Sequence, residues 1–341
     1  MKFPWANTLL LAFIAAALAS GLGGLMSGSP GAAAFIQVHR VAGYGILVLL
    51  VWKGANVAFS LRWRRRVAPR VASLVLAAAL LGTLALGFAW SFVGPFTFAW
   101  FSGVSWHIYV GVALAPILVW HSLYHTRGRP VAFWVERRSF LRLAGLTVVG
   151  IAAWQLGELG ARVIALNGAT RRFTGSYEAG SFSGNRFPRT SWLNDRPVPV
   201  DVSRWRLTVR GAVGHELDLA LDDLGPGRAV EATIDCTGGW HSTQIWNGMP
   251  VADLLERARP LGSAASVTFR SVTGYYRRFS LAEARSYLLA TGVGDETLSH
   301  GHGFPLRLVA PGKRGFEWVK WVEAIEVSES SKWWQPPLPL Q

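Results

Sequence analysis

Phe35-Ile36-Gln37-Val38-His39-Arg40-Val41-Ala42-Gly43-Tyr44 opens an apolar run that continues to Phe59, and the reading of this run decides the fold. It is close to the roughly 20 residues with which a helix crosses a bilayer, yet it carries an imidazole near its start. Similar runs lie on either side: Asn7 to Met26, Val71 to Val93, Ser105 to Tyr124, and a shorter one from Leu143 to Leu156. The segments between them alternate in charge. Leu61 to Arg70 and Thr126 to Arg142 each carry five arginines, whereas Ser27 to Ala34 and Gly94 to Val104 carry no charge. Basic loops stay in the cytoplasm, so the amino terminus is expected there, and the fifth helix delivers the rest of the chain to the outside of a bacterial-type plasma membrane.

Composition agrees. The chain has 341 residues, 51% of them apolar, and the apolar residues concentrate before about residue 160. The net charge of +14 is explained by arginines flanking apolar runs, so a bilayer rather than nucleic acid is the expected partner. One cysteine, Cys236, excludes a disulfide within the chain.

Ionisable groups in membrane helices are costly and usually functional. His39 and His107 open the second and fourth helices on the same side, and each is followed one turn later by a glycine, Gly43 and Gly111. Glycine on that face leaves room for a flat macrocycle, and two neutral imidazoles across a bundle are good axial ligands for haem iron. His121 stands fourteen positions after His107, about 21 Å along the axis, and is the candidate ligand of a second haem. The matching position on the second helix is Lys53, and His125 shares the strip of His121, so one haem b between His39 and His107 is the expectation. These histidines would otherwise be structural or line a quinone pocket. In helix count and histidine placement this half resembles membrane cytochrome b subunits of respiratory oxidoreductases.

Arg137-Arg138-Ser139-Phe140-Leu141-Arg142 resembles a twin-arginine export signal. Such a signal suits a protein that folds around its cofactor before export, and no small-residue cleavage pattern follows it, so the segment is expected to remain as an anchor. Asn167 to Asn185 reads as an exposed, glycine-rich linker.

Beyond Phe187, strand-like stretches (Trp205 to Val209, Val230 to Asp235, Ser266 to Phe269, Leu306 to Val309) mix with helix-like ones (Val251 to Ala258, Leu281 to Leu289) in an irregular order that suggests an α+β fold. No phosphate loop, dinucleotide-binding glycine pattern or zinc spacing occurs there. Cys236 follows a strand-like run and precedes Thr237-Gly238-Gly239-Trp240-His241, a glycine-rich turn that leaves a thiolate open to a soft metal.

Cys236 with Trp246-Asn247-Gly248-Met249-Pro250 and the helix after it resembles the sulfite oxidase family of molybdopterin enzymes. A second block, Gly301-His302-Gly303-Phe304-Pro305-Leu306-Arg307 followed by Gly315-Phe316-Glu317-Trp318-Val319-Lys320-Trp321, is similar to that family's pterin-holding segments. The resemblance covers residues 185–328. It implies that Cys236 ligates molybdenum and that His302, Arg307, Trp318, Val319 and Lys320 contact the pterin, with Ser271, Asn185 and Phe187 as further cofactor contacts. Sulfite-oxidising members continue after the cysteine with Ala-Gly-Asn-Arg-Arg. Here the arginines of that clamp are missing, and Trp240, four residues after Cys236, resembles the periplasmic methionine sulfoxide reductase branch. Trp240 and His241 are expected to shape the substrate pocket.

The expected organisation is therefore a cytochrome b-like transmembrane four-helix domain (1–131), a signal-anchor helix (132–160), a linker (161–184) and an extracytoplasmic molybdopterin domain (185–341). The expected activity passes electrons from the quinone pool or another membrane donor, through haem b, to a sulfoxide or similar small molecule. The alternatives are a sulfite-type dehydrogenase running electrons the other way and a non-catalytic module with a degenerate pterin fold.

Overall fold

The computed structural model describes residues 2–63, 67–125, 136–191, 195, 197–225 and 227–339. Parts of the two expected basic loops, residues 64–66 and 126–135, lie outside the described residues. The chain divides into two compact units, residues 1–25 with 30–177, and residues 26–29 with 178–341.

The first unit is helical: α1 (Pro4–Met26), α2 (Ala33–Trp63), α3 (Val67–Phe92), α4 (Gly103–His125) and α5 (Arg137–Val163). All five are long and apolar enough to cross a membrane. In lipid, a helix satisfies every backbone polar group within its own segment, and apolar side chains then cover it. A small hairpin, β1 (Thr97–Phe98) and β2 (Phe101–Ser102), joins α3 to α4. Leu9 and Phe13 of α1, Ile46 and Leu49 of α2, Leu114 and Leu118 of α4 and Leu146 of α5 form the core. Val51, Val112, Leu123 and Val148 point outward, the surface that a lipid solvent would accept. The fifth helix is longer than its apolar run from Leu143 to Leu156 because Arg137 to Phe140 already form its first turn.

The segment read as an exposed linker is corrected over 171–177. Arg171 Nη1 donates to the carbonyl of Ser91 at 2.8 Å, Trp90 Nε1 donates to the carbonyl of Gly175 at 2.8 Å, and the buried Tyr177 hydroxyl donates to the carbonyl of Trp90. The last carbonyls of α3 have no intrahelical partners, and the side chains of this segment supply the missing donors.

The second unit is α+β. After β3 (Tyr177–Glu178) come β4 (Leu207–Gly211), β5 (Leu217–Leu219), β6 (Arg228–Asp235), β7 (Trp240–Pro250), α6 (Val251–Ala258), β8 (Ser266–Ser271), β9 (Tyr276–Ser280), α7 (Leu281–Ala284), β10 (Leu288–Val293), β11 (Glu296–Thr297), β12 (Arg307–Val309) and β13 (Val322–Ser328). One sheet is centred on β7, with β6 and β10 antiparallel on its two sides, and β10 carries β12 and β11 along its other edge. The other sheet runs β5-β4-β13-β8-β9, with only β13 and β4 parallel. Their shared core holds Trp246, Leu254, Leu289, Phe269, Leu308 and Ile325.

The helix expected from Leu281 to Leu289 is also corrected. Ser280 and Glu283 cap each other and start a helix, but it ends at Ala284, and Leu288 to Val293 is a strand. Leu288, Leu289 and Ala290 are all buried, and an apolar run buried on both faces loses the alternation that marks a strand.

Gly248 lies where β7 meets β10. A Cβ there would stand 2.0 Å from the Leu289 carbonyl oxygen. Gly248→Ala is therefore expected to force the strands apart and to destabilise the unit by more than about 1–3 kcal/mol, the usual cost of overpacking; thermal unfolding of the detergent-solubilised chain measures it.

Candidate functional sites

Each unit carries one. In the second unit, β6 ends at Asp235 and a tight turn leads into β7 at Trp240, placing Cys236 at the tip of a hairpin. The Cys236 amide donates to the Trp240 carbonyl at 2.8 Å, and the Gly239 amide closes the turn onto the Cys236 carbonyl at 3.1 Å. Gly239 has φ +95°, a conformation open to glycine. The Gly238 amide donates to Cys236 Sγ at 3.3 Å. From the other side, the buried Arg314 donates through Nη1 to Asp235 Oδ1 at 2.6 Å and through Nη2 to the Cys236 carbonyl at 3.3 Å. Gly315 packs so closely that its Cβ would come 3.2 Å from Cys236 Cα.

Cys236 lines a cleft bounded also by Phe187, Thr190, Trp240, Ser271, Tyr275, His302, Arg307, Trp318 and Lys320. Cys236 is 5% exposed. Burial pushes its thiol up, opposed by the Gly238 amide, the Thr190 hydroxyl and the Arg314 charge. Trp240 donates its indole N–H to Thr190 Oγ1 at 3.2 Å, which fixes one wall beside the sulfur.

The electrostatics of the cleft are set by cations. Arg307 is buried, donates to the His302 carbonyl at 2.9 Å, and lies 5.2 Å from the ring centre of Trp246. Its Nε has no partner. Burial lowers it to about 9. Lys320 donates to the Gly301 carbonyl at 3.0 Å and to Ser191 Oγ at 3.3 Å, and burial, then the Arg307 charge, lowers it to about 7. Among the described residues neither forms a salt bridge with a carboxylate. Burying such groups is expensive without a counter-charge, so the cleft is built for an anion. His302 is brought down to about 4 by burial and then by Arg307. It is neutral, with Nδ1 on Ser299 Oγ at 2.8 Å and Nε2 on the Phe187 carbonyl at 3.0 Å.

Of the residues expected to hold the cofactor or substrate, Cys236, Trp240, Phe187, Ser271, His302, Arg307, Trp318 and Lys320 line this cleft. Three other expected residues are not part of its lining. His241 is not on the cleft wall, because successive residues of β7 face opposite ways and Trp240 takes the inward position. Val319 is a core residue. Asn185 spends its side chain on Glu296 Oε2 at 2.8 Å, the Thr297 carbonyl at 2.9 Å and the Ser299 amide at 2.8 Å, and so ties β11 to the His302 loop. Sequence reading missed Thr190, Tyr275 and Arg314. Arg314 stands immediately before a quoted block, but its pairing with Asp235 joins positions 79 residues apart.

In the first unit, the rings of His39 and His107 are 5.7 Å apart between centres, with planes at 86°. His39 Nδ1 lies 2.8 Å from the Ala17 carbonyl of α1, and His107 Nδ1 lies 2.8 Å from the Thr83 carbonyl of α3. A carbonyl only accepts, so each Nδ1 carries the proton and each Nε2 keeps its lone pair. Four residues after each carbonyl stands a glycine. A Cβ on Gly21 would meet the His39 ring at 3.0 Å, and one on Gly87 would meet the His107 ring at 2.9 Å. The α1–α2 and α3–α4 hairpins thus repeat one device. Gly43 has nothing within 4 Å of its Cβ position, and Gly111 only Thr83 Cγ2 at 3.7 Å. Lys53 donates to Asn7 Oδ1 at 3.2 Å. His121 lies on α4, half-buried and with interactions of its own.

Residues 195–334 match the family model described as the oxidoreductase molybdopterin binding domain. Over this stretch the chain carries a molybdopterin-binding domain that resembles the sulfite oxidase-like oxidoreductases. It is similar to the protein-methionine-sulfoxide reductase catalytic subunit MsrP of Gluconobacter oxydans, 31% identical over 173 residues, covering 44% of this chain and 53% of the relative. It is 34% identical over 179 residues to mouse mitochondrial sulfite oxidase, covering 42% of this chain and 33% of the relative. It is 29% identical over 173 residues to the uncharacterized oxidoreductase YuiH of Bacillus subtilis, covering 48% of this chain and 86% of the relative. The chain thus spans about half of the methionine-sulfoxide reductase subunit and a third of the sulfite oxidase. The cleft fits a molybdenum-bearing pterin: a soft sulfur on one wall, and buried cations with an unfilled donor for the phosphate.

Two outcomes follow from the geometry. Arg314→Leu leaves Asp235 buried without its partner, a loss of about 3–5 kcal/mol; Asp235→Leu in the same chain is expected to restore most of it, and a double-mutant cycle by chemical denaturation measures the coupling. Lys320 has a folded value of about 7 against 10.5 for the free side chain. Between those values the unfolded chain binds more protons, so this group makes the cofactor-free protein gain stability as pH rises through that window. Lys320→Met is expected to flatten the slope, and inorganic phosphate to stabilise the wild type more at pH 7 than at pH 9 in thermal unfolding.

Proposed function

We propose that this chain is a membrane-bound, molybdopterin-dependent oxidoreductase that reduces a sulfoxide or a similar oxide with electrons drawn from the membrane. The observation that carries this reading is the convergence of Cys236, Arg307 and Lys320 on one cleft. When bound there, the molybdenum cofactor supplies oxygen-atom transfer and two-electron redox chemistry. The protein residues do the rest. Cys236 offers a soft sulfur ligand. Arg307 and Lys320 hold the phosphate as fork and point charge. Neutral His302 props Phe187, whose ring centre is 4.0 Å away. Trp240 closes the wall beside the sulfur and narrows the approach to it.

In the helical unit we assign His39 and His107 as axial ligands of a haem b. Their ring centres are 5.7 Å apart, and the two imidazoles would hold the iron between them, where the haem would supply one-electron redox chemistry. Both lone pairs are free to bind, and the space at Gly43 admits the macrocycle. Lys53 stands at the matching position of α2 and donates to Asn7, and a single haem is the reading. A quinol is the proposed donor. The charge alternation of the loops supports a cytoplasmic amino terminus and an exported second unit, with Arg137-Arg138 as a retained twin-arginine-like signal.

The direction of electron flow rests on the missing arginine clamp after Cys236 and on the likeness to a methionine-sulfoxide reductase subunit. The likeness to a sulfite oxidase supports the reverse reading, a dehydrogenase feeding electrons into the membrane. The two separate cleanly: a reductase substrate oxidises the pre-reduced haem, and a dehydrogenase substrate reduces the oxidised one. A degenerate, non-catalytic module would purify without molybdenum.

The purified chain is expected to hold one molybdenum and one haem. Cys236→Ser is expected to insert and keep its haem spectrum while losing turnover by at least about 100-fold, the scale on which loss of an essential catalytic interaction acts. Turnover by a molybdenum-loaded Ser variant would refute the ligand role.

A further inference from the structure

The helical unit holds a cation beside His39 that the haem assignment leaves unused. Arg40 follows His39 on α2, and its side chain is only 20% exposed. A guanidinium within an apolar helix is costly, and such residues as a rule mark a site with a specific partner. Its ion-pair partner among the described residues is Glu158 of α5, at 3.8 Å, the outer limit of such a contact and too long for a hydrogen bond.

Glu158 is already taken. Arg171 Nη2 donates to Glu158 Oε1 in a short contact, while Nη1 donates to the main-chain carbonyls of Ser91 and Gly168. Arg171 therefore closes the C-terminal end of α3, where a positive charge is favoured, and it uses Glu158 to do so. Its own side chain is 4% exposed and its Nε has no partner. The cluster thus sets two guanidiniums against one carboxylate. The other polar groups within electrostatic reach of Arg40 are the phenols of Tyr44 and Tyr177, which bring no negative charge. Arg40 is left with its planar set of N–H donors open.

We infer that Arg40 is a binding residue for a carboxylate, and that this carboxylate is a propionate of the haem proposed between His39 and His107; the inference rests on that assignment. A guanidinium takes a carboxylate through two parallel hydrogen bonds. The propionates are the acidic groups of haem b, and Arg40 is the immediate neighbour of one axial imidazole. The two hairpins repeat each other in carbonyl, glycine and histidine but differ at this point: Ile108 follows His107 where Arg40 follows His39. The cation is therefore on one side only. It distinguishes two otherwise similar orientations of the macrocycle by where its acidic edge lies.

The test uses the full chain produced in haem-deficient cells and loaded with either protohaem or haem dimethyl ester, whose propionates are capped. With protohaem, Arg40→Gln is expected to weaken haem retention about tenfold, read as loss of bound haem to excess apomyoglobin. Arg40→Lys is expected to recover part of the loss. With the dimethyl ester the same Arg40→Gln substitution is expected to change retention less than about threefold, since no carboxylate is left to pair. An equal loss with both haems, or none with protohaem, would overturn the propionate contact and leave the haem assignment standing. A wild-type chain that takes up neither haem would remove both.

Discussion

Charge that is buried must be answered by charge, and the second unit places Arg307 and Lys320 in a cleft where, among the described residues, neither forms a salt bridge, although the carboxylate of Asp195 is on the wall. The core around them is conventional, with Trp246, Leu289 and Leu308 fully buried. The cleft is therefore a place where the fold accepts a cost that packing does not repay. An anion restores the balance, and the cysteine across the same cleft makes that anion part of something that also carries a soft metal. Read in this way, the ion pair of Arg314 and Asp235 has a separate task. It joins two segments far apart in sequence and holds the backbone of the cysteine hairpin, so that the sulfur keeps its place while the cations hold the other end of the ligand.

The helical unit solves a different problem with small residues. Gly21 and Gly87 let an imidazole come against a neighbouring helix, and the carbonyls of Ala17 and Thr83 fix which nitrogen bears hydrogen. Neither histidine needs an acidic partner to be oriented, which spares an apolar bundle a further buried charge.

Much of this was legible in the sequence, for reasons that differ along the chain. Membrane helices are long, and their apolar runs need no partner to be recognised, so all five fall where hydropathy puts them. Cys236, Arg307 and Lys320 lie in blocks whose residue order resembles a known family. What escaped was what depends on pairing. Leu288 to Val293 reads like helix because both of its faces are buried. The side-chain docking of Arg171 and Tyr177 onto α3 cannot be inferred from a glycine-rich composition. His241 and Val319 were swept up with their neighbours, and only the strand register separates Trp240, facing the cleft, from His241 beside it. Arg314 was visible as a residue and invisible as a contact, since nothing local points to Asp235.

The repeated hairpin carries a consequence for assembly. Each imidazole is anchored to the helix immediately before its own, His39 to α1 and His107 to α3. Each imidazole is thus oriented within its own pair of adjacent helices. A haem bound as proposed would act as a rivet between two such pairs.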